Sequence, residues 1–290
     1  MRIGIMTIVL NGGDYLAFCL RNSYALARQH EGSRIAIVEG ADTFSPTAKN
    51  GLSADGTRDI VFSTPDPKGI ISYERLGKVP DKRRLRNVAL EMLRDMDWII
   101  IKDHDELIKP EDFDKLAVLL SRTDRNVINL KHLLFWGDFG HRYPDDKSGH
   151  MLRVIRNLPT LNFDIWHTYP SIGTEDGLRR IDGGSVDSEV PVYHYGYVGP
   201  RGRISEKRVH RVGQDNWYWN YQKKPEKANK SLSEYDQFPL VKGENIPGVP
   251  WNEIVEHPLE DHPSEIKCHP WFGKDMDEIW GIEELHPTFV

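Results

Sequence analysis

Residues 98–106 read WIIIKDHDE: Trp98 and three isoleucines run through Lys102 into Asp103, His104, Asp105 and Glu106. A short, unbroken apolar run of this length predicts a fully buried strand. In open α/β sheets, ligands bind beyond the carboxyl ends of the strands, and the acids stand at such an end. If the chain stays extended there, Asp103 and Asp105, two residues apart, project to one side. Two carboxylates on one side suit a hard divalent cation, bound through oxygen with positions left for phosphate. The plain alternative is that the acids cap the next helix or solvate a turn.

The flanking sequence supports a layered α/β fold. Upstream, DKRRLRNVALEMLRDM (81–96) places Leu85, Val88, Ala89, Met92 and Leu93 on one helical face, with Asp81 as N-cap. Downstream, PEDFDKLAVLLSRT (110–123) predicts a helix with Pro110 in its first turn. At the beginning, RIGIMTIVL reads as a strand ending at the turn Asn11-Gly12-Gly13, then a helix capped by Asp14, then the strand SRIAIVEGAD. Such strand–helix–strand units build parallel sheets. Within the loop-rich stretch 43–72, DIVFST predicts a third strand. RNVINLKHLLFW, HMLRVIRN and PVYHYGYV predict further strands, and RISEKRVHRVGQDNWYWNYQKK a helix.

The chain has 290 residues, a net charge of −6 and 39% hydrophobic residues, ordinary values for a globular domain with a tail. The acidic balance argues against nucleic acid as partner. Two distant cysteines, Cys19 and Cys268, suggest no disulfide framework and a reducing, cytoplasmic setting. MRIGIMTIVLNGG reads as a strand and not a secretory leader. No apolar run approaches the roughly 18 residues of a membrane span.

KRRLRNVALEMLRDMDWIIIKDHDE resembles a signature of family-two glycosyltransferases of the GT-A fold. There a motif like ARN-x-(G/A) opens a helix, and the following strand ends in Asp-x-Asp. Arg86-Asn87 match the first part and Asp103-x-Asp105 the second. MTIVLNGGDYLAFCLRNSY is similar to the opening of that family's nucleotide-binding half. VEGAD places Glu39, with Asp42 beyond, where the family has an acid that contacts the base. The resemblance covers the first half of the chain. It implies a Rossmann-like, mostly parallel central sheet flanked by helices. It also implies transfer of a sugar from a nucleotide-sugar donor, helped by Mn2+ or Mg2+. The expected organisation is a glycosyltransferase domain over 1–230, with a nucleotide-binding half to about 110 and an acceptor half from 111. An irregular extension over 231–290 packs on the domain or acts as a lid.

In the second half, HMLRVIRNLPTLNFDIWH resembles a segment of glycosyltransferases of the lipopolysaccharide-core type, matched in part by Arg153, Arg156 and His167. Thr168 stands where that subgroup often has Glu. TEDGLRR offers Glu175 and Asp176 instead, similar to the Glu-Asp motif that supplies a catalytic base. PVYHYGYV resembles the subgroup's HYSY-type strand, which makes His194 a third metal ligand beside Asp103 and Asp105. Lys207, in the basic run RGRISEKRVHR, is the side chain implied to meet the donor phosphates. Leu10, Glu39, Arg86 and Asp103 complete the implied donor contacts. The tail histidines 257, 262, 269 and 286 match no ordinary zinc spacing.

These readings converge on a metal-dependent, inverting glycosyltransferase acting on a hydroxyl acceptor such as a glycan. Two competitors stand beside it. A nucleotidyltransferase would need a basic residue in its first Gly-rich loop, and LNGGDY has none. A catalytically inactive module would bind a glycan on the same fold.

Overall fold

The computed structural model describes residues 1–43, 45, 50–163, 171–174, 177–180, 185–200, 202–204, 207 and 254–281. The first unit is β1 (Ile3–Val9), α1 (Leu16–Ala27) and β2 (Arg34–Ala41). It continues through α2 (Thr57–Ser63), β3 (Ile71–Lys78), α3 (Lys82–Met92) and β4 (Trp98–Ile101). After the acids come β5 (Glu106–Leu107), α4 (Phe113–Arg122), β6 (Val127–Gly137), β7 (His141–Arg142) and α5 (Asp145–Ser148). Strand β8 (His150–Arg156) follows, then three short strands, β9 (Leu161–Asn162), β10 (Ser171–Thr174) and β11 (Gly177–Arg180), that form a separate antiparallel sheet. The long β12 (Ser185–Val198) precedes a final segment containing β13 (Val255–Glu256) and α6 (Met276–Gly281).

The main sheet runs β3-β2-β1-β4-β8-β6, with β12 beside β6. Pairings β3–β2, β2–β1, β1–β4 and β12–β6 are parallel, and β8 enters antiparallel between β4 and β6. The architecture is α/β with a mixed, mostly parallel sheet. Alternate residues of β4 explain its composition. Trp98 and Ile100 join one core cluster with α1 and α4, and Ile99 and Ile101 join another with α3. A strand covered on both faces must be apolar at every position.

Several expectations need correction. DIVFST is not a strand: Thr57–Ser63 is helical. Gly56, at φ 82°, opens the helix, and Asp55 accepts from the Thr57 N–H and hydroxyl. Thr57 and Val61, four apart, are the buried positions, which is helical spacing. The third strand is instead ISYERLGK, whose half-exposed residues befit the sheet's edge. Asp14 does not cap α1; the helix begins at Leu16, with no side-chain cap on Tyr15. The Asp14 carboxylate pairs with Arg203 Nε at 3.1 Å. Asp81 does cap α3, accepting from Arg83 N at 2.8 Å. Pro110 opens a 3-10 turn that leads into α4.

The segment 254–281 is ordered through its histidines and aromatics. Gly137, at φ 76°, lies so close to Met276 that a Cβ there would stand 2.1 Å from its methyl. His262 Nε2 donates to the Phe139 carbonyl at 2.8 Å, so its Nδ1 accepts from the Tyr195 hydroxyl at 2.9 Å. His269 donates from Nε2 to the Asp14 carbonyl at 3.1 Å and accepts from Trp271 N at Nδ1. Its ring also stacks on Tyr15, with centroids 4.8 Å apart. These rings hold the segment to the sheet and to the turn before α1; His286 lies outside the described residues. No helix among the described residues is long and apolar enough to cross a membrane.

Burial holds these histidines neutral: His257 falls to about 4, His262 to about 3 and His269 to about 4, from 6.5. The unfolded chain therefore binds more protons than the folded one below pH 6.5. Their contribution is complete above that pH and is lost as pH falls toward 4 and then 3. At about 1.4 kcal/mol per pKa unit, acidification from pH 7 to 4 is expected to remove on the order of 3 kcal/mol through each of these rings. The measurement is urea unfolding across that range. His262→Asn should flatten the slope below pH 6, and an unchanged slope would refute the assignment.

Candidate functional site

The acids follow β4 not as an extension of the strand but as a turn, closed by Glu106 N donating to the Asp103 carbonyl at 3.1 Å. The expectation that the chain stays extended through them is therefore corrected. Lys102, between strand and turn, points down into the fold. Its ammonium is bonded to Asn22 Oδ1 at 2.6 Å and Ser23 Oγ at 3.1 Å. Asn22 in turn holds Ile108 N and O and donates to Glu265 Oε1 at 2.8 Å. The acid turn is thus pinned to α1 and to the C-terminal segment by a buried polar network.

The turn divides its carboxylates. Asp103 is the outer one, its side chain 34% exposed; it accepts from Arg86 Nη2 at 2.8 Å and Arg153 Nη2 at 3.4 Å. Burial raises its pKa, but Arg153 and Arg86 outweigh that and hold it well below the usual carboxylate range. Asp105 is the inner one, its side chain 3% exposed. Lys207 Nζ meets its Oδ2 at 2.5 Å, His194 Nε2 lies 3.3 Å from its Oδ1, and Arg203 Nη2 is 3.7 Å from Oδ2. Against the pull of burial, Lys207, His104 and His194 keep it ionised. Burial lowers His104 to about 4. Of the sequence-predicted residues, the fold gathers Arg86, Asp103, Asp105, His194 and Lys207 into this one cluster.

Two members were not singled out from sequence. Glu106 is wholly buried and takes Arg153 Nε on both oxygens, at 2.9 and 3.1 Å, while Oε2 also accepts from Asp103 N. His132, on β6, places Nε2 2.9 Å from His194 Nδ1 and 3.8 Å from Glu106 Oε1. Glu106, His132 and His194 offer ligand atoms all within 4.8 Å of one another, a donor set that could hold a metal ion. Sheet register brings them together: β12 lies between β5 and β6, with His194 opposite Glu106 and Val192 opposite His132. The signal available in sequence was Glu106 itself, the last letter of the opening stretch.

Asp105 and His194 fit a divalent ion by geometry. An oxygen and a nitrogen 3.3 Å apart lie close to the ~3 Å edge of an octahedron with ~2.1 Å bonds. Asp103, the more exposed carboxylate of the turn, has its Oδ1 on Arg86 and its Oδ2 on Arg153.

On the amino-terminal side, the turn after β1 is stapled to the 53–57 loop. Asn11 N donates to Ser53 Oγ at 2.9 Å, Gly12 N to Thr57 Oγ1 at 2.8 Å and Gly13 N to Asp55 Oδ2 at 2.7 Å. Leu10 is half-buried at the start of this turn, and Asn11 has φ 50°. Glu39, at the end of β2, is fully buried. It accepts from Ser53 N at 2.6 Å, from Arg75 Nε at 2.8 Å and from the Tyr73 hydroxyl. Asp42 is buried and accepts from Ser45 Oγ at 3.0 Å. Arg86 is buried too, and its Nε and Nη1 have no hydrogen-bond partner among the described residues. Glu175, Asp176, His167 and Thr168 lie outside the described residues, as do Arg201, Arg208 and Arg211.

No family model and no curated protein sequence matches the chain. Solved structures do. The 1–349 segment of S. aureus TarS is 13% identical with a TM-score of 0.44, covering 82% of this chain and 69% of that one. The same segment in complex with UDP-GlcNAc is 20% identical with a TM-score of 0.36, covering 46% of this chain and 34% of that one. A mannosyltransferase, PcManGT, from Pyrobaculum calidifontis, in complex with GDP-Man and Mn2+, is 13% identical with a TM-score of 0.45, covering 76% and 63%. Across three of the TarS structures the match spans only 22% to 36% of their length.

Proposed function

We propose that the chain is a nucleotide-sugar-dependent glycosyltransferase of the GT-A fold, moving a sugar to an acceptor hydroxyl with inversion. The observation that carries this is Asp103 and Asp105 at the carboxyl end of β4, ringed by Arg86, Arg153, Arg203 and Lys207. Carboxylates and cations interleaved at a sheet's ligand edge suit a diphosphate. A divalent ion, Mn2+ or Mg2+, would be held by Asp103, Asp105 and His194 and would supply positive charge against the departing diphosphate.

The chain's own groups do the rest. Arg86 and Arg153 fix the Asp103 carboxylate from two sides and keep it ionised. Lys207, with Arg203 behind it, brings fixed positive charge to the same place as the leaving group, where preorganised charge costs no reorganisation. The turn after Leu10 cradles the nucleoside, and Glu39 acts from beneath by holding Ser53, Tyr73 and Arg75 in place. Glu175 or Asp176 takes the proton from the acceptor hydroxyl as its oxygen attacks the anomeric carbon from the face opposite the diphosphate. Residues 1–110 form the nucleotide half, and acceptor contacts come from later residues.

The test is thermal unfolding with nucleoside diphosphates, with and without Mn2+. A ligand at one hundred times its Kd adds about 2.7 kcal/mol, and about 1 kcal/mol moves Tm by roughly 2–4 °C at this chain length. A rise of about 5–10 °C with UDP or GDP, present only when Mn2+ is added, is the expected result. Stabilisation by a nucleoside triphosphate alone would favour nucleotidyl transfer. Stabilisation by a free glycan alone would favour a binding module.

A further inference from the structure

We propose that His132 is a positioning residue for His194, orienting its ring so that Nε2 faces Asp105, and is not itself a metal ligand. This deepens the reading above, on which His194 and Asp105 share an ion.

The geometry starts from the crowding around Glu106. Both of its oxygens are taken by Arg153, and Oε2 also accepts from the Asp103 backbone. Both partners of that ion pair are buried, and an ion entering there would have to displace a guanidinium from a wholly enclosed carboxylate. Glu106 therefore belongs to the scaffold, although its distance from the two histidines is short. That leaves His132 and His194, whose facing nitrogens are 2.9 Å apart. His194 spends Nδ1 on His132, and its remaining nitrogen, Nε2, is the one 3.3 Å from Asp105 Oδ1.

A histidine partner suits both states of this contact. Without an ion, His194 Nε2–H donates to Asp105, and Nδ1 accepts from His132 Nε2–H. An ion held at Nε2 would displace the proton there to solvent; His194 would take the His132 Nε2 proton on Nδ1 and donate it back to His132 Nε2, and His132 would regain a proton at its own Nδ1. His132 changes from donor to acceptor by exchanging tautomer, with no movement of either ring. A ligating histidine is usually oriented in this way by a hydrogen bond to its second nitrogen. His132 is only 5% exposed, so it is enclosed among groups that keep its ring in place.

Two measurements test this. In protein labelled with 15N-histidine and free of metal, a scalar coupling across the hydrogen bond should link His132 Nε2 and His194 Nδ1. Its absence overturns the pairing, whatever the metal does. Mn2+ affinity, read from the EPR signal of unbound ion, should weaken about 10–100-fold in His132→Leu. It should stay within about threefold of wild type in His132→Gln, whose amide both donates and accepts. Equal affinity in His132→Leu overturns the proposal, as does a pulsed-EPR spectrum showing two imidazole nitrogens on the ion. If wild type takes up no Mn2+ while the coupling is present, the metal reading fails and the positioning of His194 against Asp105 stands.

Discussion

Asp105→Ala is expected to abolish sugar transfer, lowering kcat/KM by at least about 10³, or roughly 4 kcal/mol of transition-state stabilisation. Asp105 carries more of the site than any other side chain: Lys207, His194 and Arg203 all aim at it, and it is almost closed to solvent. Its removal takes away one carboxylate and also frees Lys207 to swing out of position. Asp105→Asn separates these effects. The amide keeps the shape and one acceptor but loses the charge, so it should restore packing without restoring turnover. Both variants should keep the far-ultraviolet circular dichroism of wild type, because Lys207 and Arg203 remain partly solvated. Transfer at the wild-type rate in either variant, with any donor that wild type uses, would remove Asp105 from the mechanism.

The largest effect on stability is expected at Arg153. Its guanidinium and the Glu106 carboxylate are 3% and 0% exposed and form a buried, doubly bonded pair. Removing one partner of such a pair leaves the other charge unpaired in the interior and costs about 3–5 kcal/mol. Arg153→Met should lower the unfolding free energy by that amount, read as a lower urea midpoint with no change in slope. Combining it with Glu106→Gln removes the stranded charge and should return more than half of the loss, since the amide oxygen still accepts from the Asp103 N–H. A single variant within about 1 kcal/mol of wild type, or a double variant no better than the single, would contradict this account.

The parts of the fold that could be read from sequence were those governed by local pattern. WIII is apolar at consecutive positions because helices cover both faces of β4, and α3 carries its hydrophobic face and its Asp81 cap in the letters. The errors were also local. DIVFST has a strand's composition, but its left-handed Gly56 and the capping acid Asp55 make it the start of a helix. Asp14 looked like a cap because a helix followed, yet Arg203, distant in sequence, holds its carboxylate. The candidate cluster was legible where one strand end supplies it, at Asp103 and Asp105. It was not legible where it depends on register. Nothing adjacent to His132 marks it, and only the placement of β12 between β5 and β6 brings it to His194.

The polar network under the acid turn has a consequence for synthesis. Asn22, which holds Lys102 and Ile108, is itself bonded to Glu265, and the Asp14 carbonyl waits for His269. The ribosome delivers the β1–α1–β2 unit early, and it can pack as soon as β4 and α3 emerge. The floor beneath the acids closes only when residues 254–281 have left the exit tunnel. A nascent chain stalled before that point should hold its parallel sheet while showing rapid amide exchange at Ile108 and around Tyr195, so the acid turn is the last part of the fold to be fixed in translation.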